Sequence, residues 1–254
     1  MPEPLRLKLI ACEIVYREVC HVVARSLNRV DVEFLPKGLH DMGQPKMLAR
    51  LQEALAQVDE SCYHAILLGY GLCNNGLVGL AARRVPLVVP RAHDCITLFL
   101  GSKERYLDYF TKHPGVYFKT TGWLERGRDL EQYRNESIQQ RHGLHQSYDD
   151  LVAKYGEDNA KFLWEQLGDL TRNYSQITFI RMGIERDTHF EQQASEDACE
   201  RNWKFELLDG NLSLLERLVD GPWDSDQFLV VAPGEAIAPA YDESIIKSRP
   251  GTHP

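Results

Sequence analysis

Buried-strand patterns alternate with amphipathic helix patterns through the first ninety residues of the chain. Short apolar runs predict strands, and apolar positions three and four residues apart predict helices between them. Met47, Leu51 and Leu55, for example, share one stripe of a predicted helix. Apolar strands separated by helices indicate a parallel sheet that is covered on both faces. The predicted strands are 5–11, 30–35, 63–68 and 86–89, and the predicted helices are 16–27, 44–58 and 76–84.

The middle of the chain has a different pattern, and the alternation begins again near residue 177. A polar stretch around 125–145 is rich in Arg, Gln and Glu, which is typical of a connector or lid rather than of a core. The segment after about residue 238 is predicted to be a wrapping arm or a disordered tail. The other predicted helices are 95–113, 146–155, 157–168, 188–201 and 211–219, and the other strands are 116–119, 177–182, 203–208 and 228–232.

Two segments of the second half are similar to segments of the first half. FELLDGNLSL is similar to VEFLPKGLHD, and QFLVVAPGE is similar to HAILLGYG. We therefore predict an internal duplication of a β-α-β-α-β unit, although all units of this type share such patterns. The predicted fold class is α/β, with two related Rossmann-like open parallel-sheet halves and a helical insertion. The predicted units are 1–124, an N-terminal half; 125–175, a helical connector or lid; and 176–254, a C-terminal half and tail.

Composition and charge narrow the classes of function. The chain has 254 residues, of which 43% are hydrophobic, so it is long and apolar enough for a real core. Its net charge of −8 argues against nucleic acid and anionic membrane partners, because phosphate contacts need clustered Lys and Arg. No run approaches the roughly 20 apolar residues of a membrane span. The N-terminus lacks the pattern of a secretory signal, so we expect a cytoplasmic protein with six reduced cysteines.

Sulfur-bearing and polar residues follow the predicted strands. Ligands of open parallel sheets bind beyond the carboxyl ends of the strands. Cys12 follows the first strand, Cys73 follows the third, and His93-Asp94-Cys95 follows the fourth. If strands one, three and four are neighbours, as in flavodoxin-like order, three cysteines converge from adjacent loops.

Three thiols and an imidazole are ligands for a metal. Zinc binds thiolate sulfur and imidazole nitrogen tetrahedrally, and a [4Fe-4S] cluster held by three cysteines leaves one iron open to substrate. The spacing does not separate zinc from the cluster. Cys12, Cys73, Cys95 and His93 are the predicted metal ligands, and His93 is the fourth ligand or the general base. Each thiol is otherwise a small buried residue, which is the interpretation that we prefer for Cys20, Cys62 and Cys199.

A glycine-rich segment, GYGLCNNG, joins the third predicted strand to the next predicted helix. Backbone N–H groups at such a turn bind anions, although the segment lacks the dinucleotide fingerprint and the Walker lysine. Asn74 and Asn75 would otherwise cap the helix. Arg91 is predicted to hold a substrate carboxylate or phosphate through its guanidinium donors, and His40 is predicted to face the site. The residues predicted to bind a cofactor or substrate in this segment are Gly69, Tyr70, Gly71, Asn74, Asn75 and Gly76.

Several segments of the chain resemble domain-of-unknown-function family 1638. They are ACE at 11–13, GLHD at 38–41, GYGLCNNG at 69–76, RAHDCITLFLGS at 91–102 and PGVYFKTTGW at 114–123. The family carries no established activity. Its members are often encoded near corrinoid-dependent methyltransferases in anaerobes, so the resemblance implies one-carbon or methylamine metabolism by association. It supports Cys12, Cys73, His93 and Cys95 as site positions.

These observations predict a metal-dependent enzyme, a transferase or lyase, with a cysteine-rich site. The expected reaction is methyl- or sulfur-centred group transfer on a small anionic substrate, because zinc lowers the pKa of a substrate thiol. An iron–sulfur cluster would instead suggest lyase or reductive chemistry. The resemblance adds a corrinoid or a methyltransferase protein as a partner. The alternatives are a two-lobed protein that binds a small ligand or corrinoid without catalysis, and a metal-free enzyme whose nucleophile is Cys73 or Cys95 with His93 as base.

Overall fold

A computed structural model describes residues 3–126, 152–154, 156–163 and 173–251 of the chain. Within these ranges the strands and helices alternate and form a mixed α/β fold with parallel sheets, as the sequence pattern predicts. Most of the predicted connector, including residues 127–151, lies outside the described residues, whereas 152–154 of the helix expected over 146–155 are helical. None of the described helices has the length and apolar composition that a membrane span requires.

The elements are numbered in chain order. The strands are β1 (Arg6–Cys12), β2 (Arg29–Leu35), β3 (Ala65–Gly69), β4 (Leu87–Pro90), β5 (Val116–Thr120), β6 (Gln176–Arg181), β7 (Lys204–Asp209), β8 (Phe228–Val231), β9 (Glu235–Pro239) and β10 (Ile246–Pro250). The helices are α1 (Tyr16–Val23), α2 (Gln44–Ala56), α3 (Cys95–Leu100), α4 (Lys103–Lys112), α5 (Thr121–Glu125), α6 (Glu157–Leu163), α7 (His189–Glu200) and α8 (Ser213–Asp220). Short 3-10 turns lie at Glu13–Val15, Lys37–Met42 and Glu60–Cys62.

The first sheet has the strand order β2-β1-β3-β4-β8, in which the first four strands are parallel. Strands one, three and four are therefore neighbours, as the flavodoxin-like order required. Every residue of β3 and β4 is buried, because both faces of this part of the sheet are covered. The carboxyl ends of β1, β3 and β4 consequently meet at one edge.

Two strands lie in a different sheet from the one that the sequence pattern indicated. β8 was expected to be the third strand of the C-terminal half, but it pairs antiparallel with β4 of the first sheet, with Phe228 opposite Pro90. β5 was expected at the end of the N-terminal half, but it pairs in parallel with β6, which pairs in parallel with β7. An apolar run shows that a strand is buried but does not show which sheet edge it joins. Both sheets thus contain strands from both halves of the sequence.

Two predicted helices differ from the observed elements. The segment predicted as a helix over 76–84 forms turns instead, because it pairs with β9: the Ile237 N–H donates to the Leu80 carbonyl at 2.9 Å. The helix predicted over 95–113 is divided into α3 and α4 at Gly101, whose φ of 83° is left-handed. Ser102 then begins α4, and its hydroxyl accepts from the Arg105 N–H at 3.2 Å.

The segment after residue 238, expected to be an arm or a disordered tail, forms the antiparallel hairpin β9–β10. Ile245 and Ile246 are buried in the main core, which explains why this end of the chain is ordered against the first sheet. The Arg91 guanidinium donates to the carbonyls of Ser244, at 2.7 Å, and Ile246. The hairpin is therefore fixed by both apolar burial and charge-assisted hydrogen bonds.

Candidate functional site

The structure brings together the three cysteines that follow strands of the first sheet. Cys12 ends β1, Cys73 lies in the turn after β3, and Cys95 begins α3 after β4. All three line one small cavity of about 20 Å³, which has room for a single water-sized atom. The Cys73 and Cys95 thiols are hydrogen-bonded to each other. Neighbouring parallel strands thus place three cysteines around one small space.

The turn that carries Cys73 is fixed by its backbone. Cys73, Asn74 and Asn75 have φ values of 41°, 54° and 62°, so three successive residues are left-handed. Asparagine adopts this conformation more readily than most residues, which gives the two asparagines a role in the turn rather than as helix caps. The Cys73 N–H donates to the His93 carbonyl at 3.0 Å, and the Leu72 N–H donates to the Ala92 carbonyl at 2.8 Å. These bonds hold the two cysteine loops side by side.

These backbone bonds also bear on the prediction that the glycine-rich segment binds an anion, because they use N–H groups of that segment. The N–H groups of Leu72 and Cys73 donate to carbonyls of the neighbouring loop, and the Gly76 N–H donates to the Leu72 carbonyl at 2.9 Å. No helix begins at Gly76, so the dipole that favours an anion there is missing from this described segment. Gly69 and Gly71 instead allow close contact between adjacent strands and loops. Three N–H groups of the segment are thus used within the protein, and Tyr70 and Cys73 of the segment line the small cavity.

Burial favours the neutral form of the thiols. Burial, with a smaller contribution from the nearby Cys73, raises the pKa of the Cys12 thiol from 9.0 to about 12, although the hydrogen bond from the Ile14 backbone and the Lys37 ammonium lower it. The hydrogen bond to Cys73, followed by burial, raises the pKa of Cys95 well above its ordinary value. A buried thiolate needs a compensating positive charge, so these thiols stay protonated unless a cation joins them.

Lys37 is a buried charge beside the cavity that sequence reasoning did not assign to the site. Its side chain is 1% exposed, and its ammonium donates to the Trp123 carbonyl at 2.6 Å and lies 4.3 Å from the centre of the Trp123 ring. The backbone N–H of Lys37 donates to a carboxylate oxygen of Glu13 at 2.9 Å. The sequence does carry a signal for this lysine. It comes two residues after the last residue of β2, and that position lies at the same sheet edge as Cys12.

Tyr70 has a buried hydroxyl that has no hydrogen-bond partner among the residues that the structure describes. The residue is 3% exposed and lines the same cavity as the three cysteines. Burial raises the pKa of Tyr70 well above its ordinary value, and proximity to Cys12 and Cys73 raises it further, so the hydroxyl keeps its proton. An unsatisfied buried hydroxyl costs about 1–3 kcal/mol. Tyr70 is therefore a polar group of the cavity whose burial is not offset by a hydrogen bond from the described residues.

A larger open pocket of about 560 Å³ lies on the outer side of the thiols. Cys73 and Cys95 line both this pocket and the small cavity, so they separate the two spaces. The opposite wall comes from α4, β5 and the residues after them. Its aromatic side chains are Tyr106, Phe110, Tyr117, Phe118, Trp123 and Tyr174. A ligand in this pocket would touch Cys73 and Cys95 at one end and aromatic rings at the other.

His93 and Asp94 belong to the outer pocket. The His93 ring lies 5.9 Å from the Tyr106 ring and lines the outer pocket rather than the small cavity. Asp94 caps α3 by accepting from the Ile96 N–H at 2.9 Å, and it accepts from the Tyr106 hydroxyl at 3.1 Å. Burial raises the Asp94 pKa. Within the part of the chain that the structure describes, no three Cys, His, Asp or Glu side chains are already arranged to hold a metal ion.

Arg91 and His40 are not brought to the thiols by any described contact. The Arg91 guanidinium binds three backbone carbonyls, including that of Ser225 at 2.9 Å, and it lines neither the cavity nor the outer pocket. In this arrangement its Nε and Nη1 groups anchor the C-terminal hairpin through backbone carbonyls. His40 lies in the 3-10 turn Lys37–Met42, and its side chain lies outside the described residues.

Comparison with known proteins gives one match. A family model described as protein of unknown function (DUF1638) matches residues 34–219, which include Cys73, His93 and Cys95 but begin after Cys12. Neither a search of curated proteins nor a search of solved structures finds a match. The matched range is 186 of the 254 residues and contains the outer pocket and two of the three thiols. The chain belongs to this family of unknown function, whose resemblance the cysteine and glycine segments had indicated.

Proposed function

We propose that the protein is a metal-dependent enzyme in which Cys12, Cys73 and Cys95 hold a thiophilic metal ion. The outer pocket would hold a small substrate for methyl- or sulfur-centred group transfer. The observation that carries this proposal is the small cavity, where three thiols and the unpartnered hydroxyl of Tyr70 surround a space of about 20 Å³. A space of this size favours one zinc ion over a [4Fe-4S] cluster, which is several atoms across.

The donor set fits a zinc ion by its chemistry. Thiolates are the protein ligands that zinc prefers, and binding displaces the thiol protons. Because the thiols are not yet arranged around one centre, loading requires their side chains to turn toward the cavity. Since His93 lines the outer pocket, the fourth position is left for a substrate rather than for this imidazole.

The residues around the thiols have separate roles in this proposal. A bound zinc ion supplies Lewis acidity that makes a substrate thiol nucleophilic at neutral pH. Tyr70 would donate a hydrogen bond to a thiolate that holds the metal ion, and the Lys37 ammonium would offset negative charge near Cys12. His93 stands where it can accept a proton from a substrate in the outer pocket. The aromatic wall would contact an apolar part of the substrate in that pocket.

The lining of the outer pocket and the family resemblance bear on the substrate and the partner. The pocket wall combines aromatic rings with the Asp94 carboxyl, which suits a substrate with a large apolar part better than the small anion first expected. A corrinoid or methyltransferase partner, and a role in one-carbon metabolism, rest on the family resemblance. Because the site needs reduced thiols, we place the protein in the cytoplasm.

We also propose an internal duplication, but of a β-α-β unit, which is shorter than the β-α-β-α-β unit that the sequence predicts. The units β1-α1-β2 and β6-α7-β7 each place two consecutive strands in parallel contact. Two related Rossmann-like halves would then share only these units, since β8 lies in the first sheet. This shorter repeat accounts for the similarity between VEFLPKGLHD and FELLDGNLSL, which contain the second strand of each unit.

The test is metal and sulfide content, with an absorption spectrum, on protein purified without oxygen. The wild type is compared with Cys12→Ala, Cys73→Ala and Cys95→Ala, and Cys62→Ala is the matched control because it lies away from the cavity. We expect about one zinc per chain in the wild type and the control, with loss of zinc in the other variants. Iron with sulfide and a broad band near ~400 nm would assign a cluster instead. Absence of metal from the wild type, before and after incubation with zinc, would overturn the proposal.

A further inference from the structure

We propose that Cys73 and Cys95 form a reversible disulfide couple. Their thiols are already in hydrogen-bond contact, and the two loops that carry them are joined by backbone bonds from Leu72 and Cys73. Closing a disulfide therefore requires rotation of two side chains rather than movement of two loops. The inference uses two thiols of the proposed metal site, but disulfide formation itself needs no metal.

Access to the two thiols differs from access to the third. Cys73 and Cys95 line the outer pocket of about 560 Å³, whereas Cys12 lines only the small cavity of these two spaces. A small reagent that enters the pocket therefore meets Cys73 and Cys95 before Cys12. The pocket is large enough for a low-molecular-weight disulfide. Disulfide exchange at this site would thus involve Cys73 and Cys95.

The oxidant in this proposal is a low-molecular-weight disulfide, RSSR. One thiol of the pair loses its proton as it attacks one sulfur of RSSR, which forms a mixed disulfide, breaks the S–S bond and releases RS⁻. The second thiol then loses its proton as it attacks the protein sulfur of the mixed disulfide, which forms the Cys73–Cys95 bond and releases a second RS⁻. The two thiol protons end on the released groups. The protein loses two electrons and two protons, and RSSR becomes two RSH.

Disulfide formation and metal binding exclude each other at this site. Both use the sulfur atoms of Cys73 and Cys95, and a disulfide sulfur is no longer a thiolate ligand. Oxidation would leave Cys12 as the single thiol of the cavity, which is too few ligands for zinc. The oxidised protein is therefore expected to release bound zinc and to bind it again after reduction.

Peptide mapping tests the pair directly. Metal-free protein is incubated with glutathione disulfide, the remaining thiols are alkylated, and the protein is digested with trypsin without reduction. Cys73 falls in the tryptic peptide 51–83 with Cys62, and Cys95 falls in the peptide 92–103. In the Cys62→Ala variant, Cys73 is the single cysteine of the peptide 51–83, so a link to this peptide is a link to Cys73. In the wild type, chymotryptic cleavage after Tyr63 or Tyr70 separates Cys62 from Cys73.

We expect a cross-linked pair of these peptides and a loss of two of the five thiols of Cys62→Ala, both recovered with dithiothreitol. Cys95→Ala and Cys73→Ala should each trap a mixed disulfide on the remaining thiol of the pair. Modification confined to the exposed Cys20 and Cys199, with no cross-linked peptide, would overturn the inference. A disulfide in a protein that never binds zinc would overturn the proposed function alone, and zinc binding without the disulfide would overturn this inference alone.

Discussion

Gly71 lies so close to Asp94 that an added Cβ atom would stand 2.5 Å from the Asp94 Cα and carbonyl carbon. Gly71 is two residues before Cys73, and Asp94 directly precedes Cys95. The missing side chain therefore lets the two cysteine loops approach each other. Contact between backbones sets the spacing of the thiols, because neither loop can yield by rotating a side chain.

Gly71→Ala should separate the two thiols. The added methyl group meets backbone, so we expect a loss of about 1–3 kcal/mol in the free energy of unfolding, together with loss of zinc and of the Cys73–Cys95 cross-link. The measurements are urea unfolding, metal content and non-reducing peptide mapping. Gly251→Ala is the matched control, because its Cβ would lie 2.8 Å from the Gly234 carbonyl oxygen in the C-terminal segment. Equal effects of both variants on the thiols would contradict this account.

Tyr70→Phe should have opposite effects on the metal-free and the metal-bound protein. Removing an unsatisfied buried hydroxyl should raise the free energy of unfolding of the metal-free protein by about 1 kcal/mol. The same change should weaken zinc binding, because the cavity loses its hydroxyl donor. Thermal unfolding with and without zinc measures both effects.

Tyr109→Phe is the control for that prediction. The Tyr109 hydroxyl is buried but bonded to Thr178 at 2.8 Å and Glu206 at 3.0 Å. Its removal should lower the free energy of unfolding by about 1 kcal/mol, with or without zinc. If Tyr70→Phe behaves like Tyr109→Phe, the Tyr70 hydroxyl has a partner that this structure does not show.

Glu18 should make the protein less stable as the pH rises. Burial first, and the nearby Glu185 second, raise the pKa of this carboxyl from 4.5 to about 7. Neither of its oxygens has a hydrogen-bond partner within the described part of the chain. Between these pH values the folded state binds more protons than the unfolded state, so the free energy of unfolding falls with pH. The loss is roughly 3 kcal/mol and is complete above pH 7.

Glu18→Gln should remove this part of the pH dependence. Urea unfolding at several pH values between 4.5 and 8 gives the comparison, and Glu216→Gln on the exposed face of α8 controls for the change in net charge. Parallel curves for the wild type and Glu18→Gln would mean that Glu18 is ionised or partnered in the folded protein.

Arg91→Gln should destabilise the C-terminal hairpin and leave the thiol site intact. The variant loses charge-assisted hydrogen bonds to the carbonyls of Ser225, Ser244 and Ile246, which corresponds to about 2 kcal/mol. We expect faster proteolysis near the C-terminus, unchanged zinc content and no such effect in Arg84→Gln, whose side chain is exposed. Unchanged stability with loss of substrate binding would instead assign Arg91 to the substrate, as the sequence suggested.

The convergence of the thiols could be predicted because it depends on local patterns. Apolar runs located β1, β3 and β4, and the rule for parallel sheets placed Cys12, Cys73 and Cys95 at one edge. The same patterns could not show the function of Arg91 or Lys37. Each of these side chains is defined by partners far away in the sequence, Ser244 for one and Trp123 for the other.

Sheet membership could not be predicted for a related reason. β8 and β5 are recognisable as strands, but the edge that each joins depends on long-range pairing with Val88 or Ile177. Tyr70 is a different case, because its position in the glycine-rich segment indicated the site. The missing hydrogen-bond partner of its hydroxyl became visible only when the surrounding side chains were placed.

The position of β8 has a consequence for how the chain acquires its site during synthesis. β4, which leads into Cys95, has β8 as its outer neighbour, and β8 begins at Phe228. Phe228 lies 138 residues beyond Pro90 in the sequence, so the edge of β4 stays uncovered while that intervening chain is synthesised. A nascent chain of this protein would carry the three thiols long before their sheet is closed. Its cysteines are therefore most exposed to oxidation on the ribosome, at a stage when the hairpin that Arg91 fastens does not yet exist.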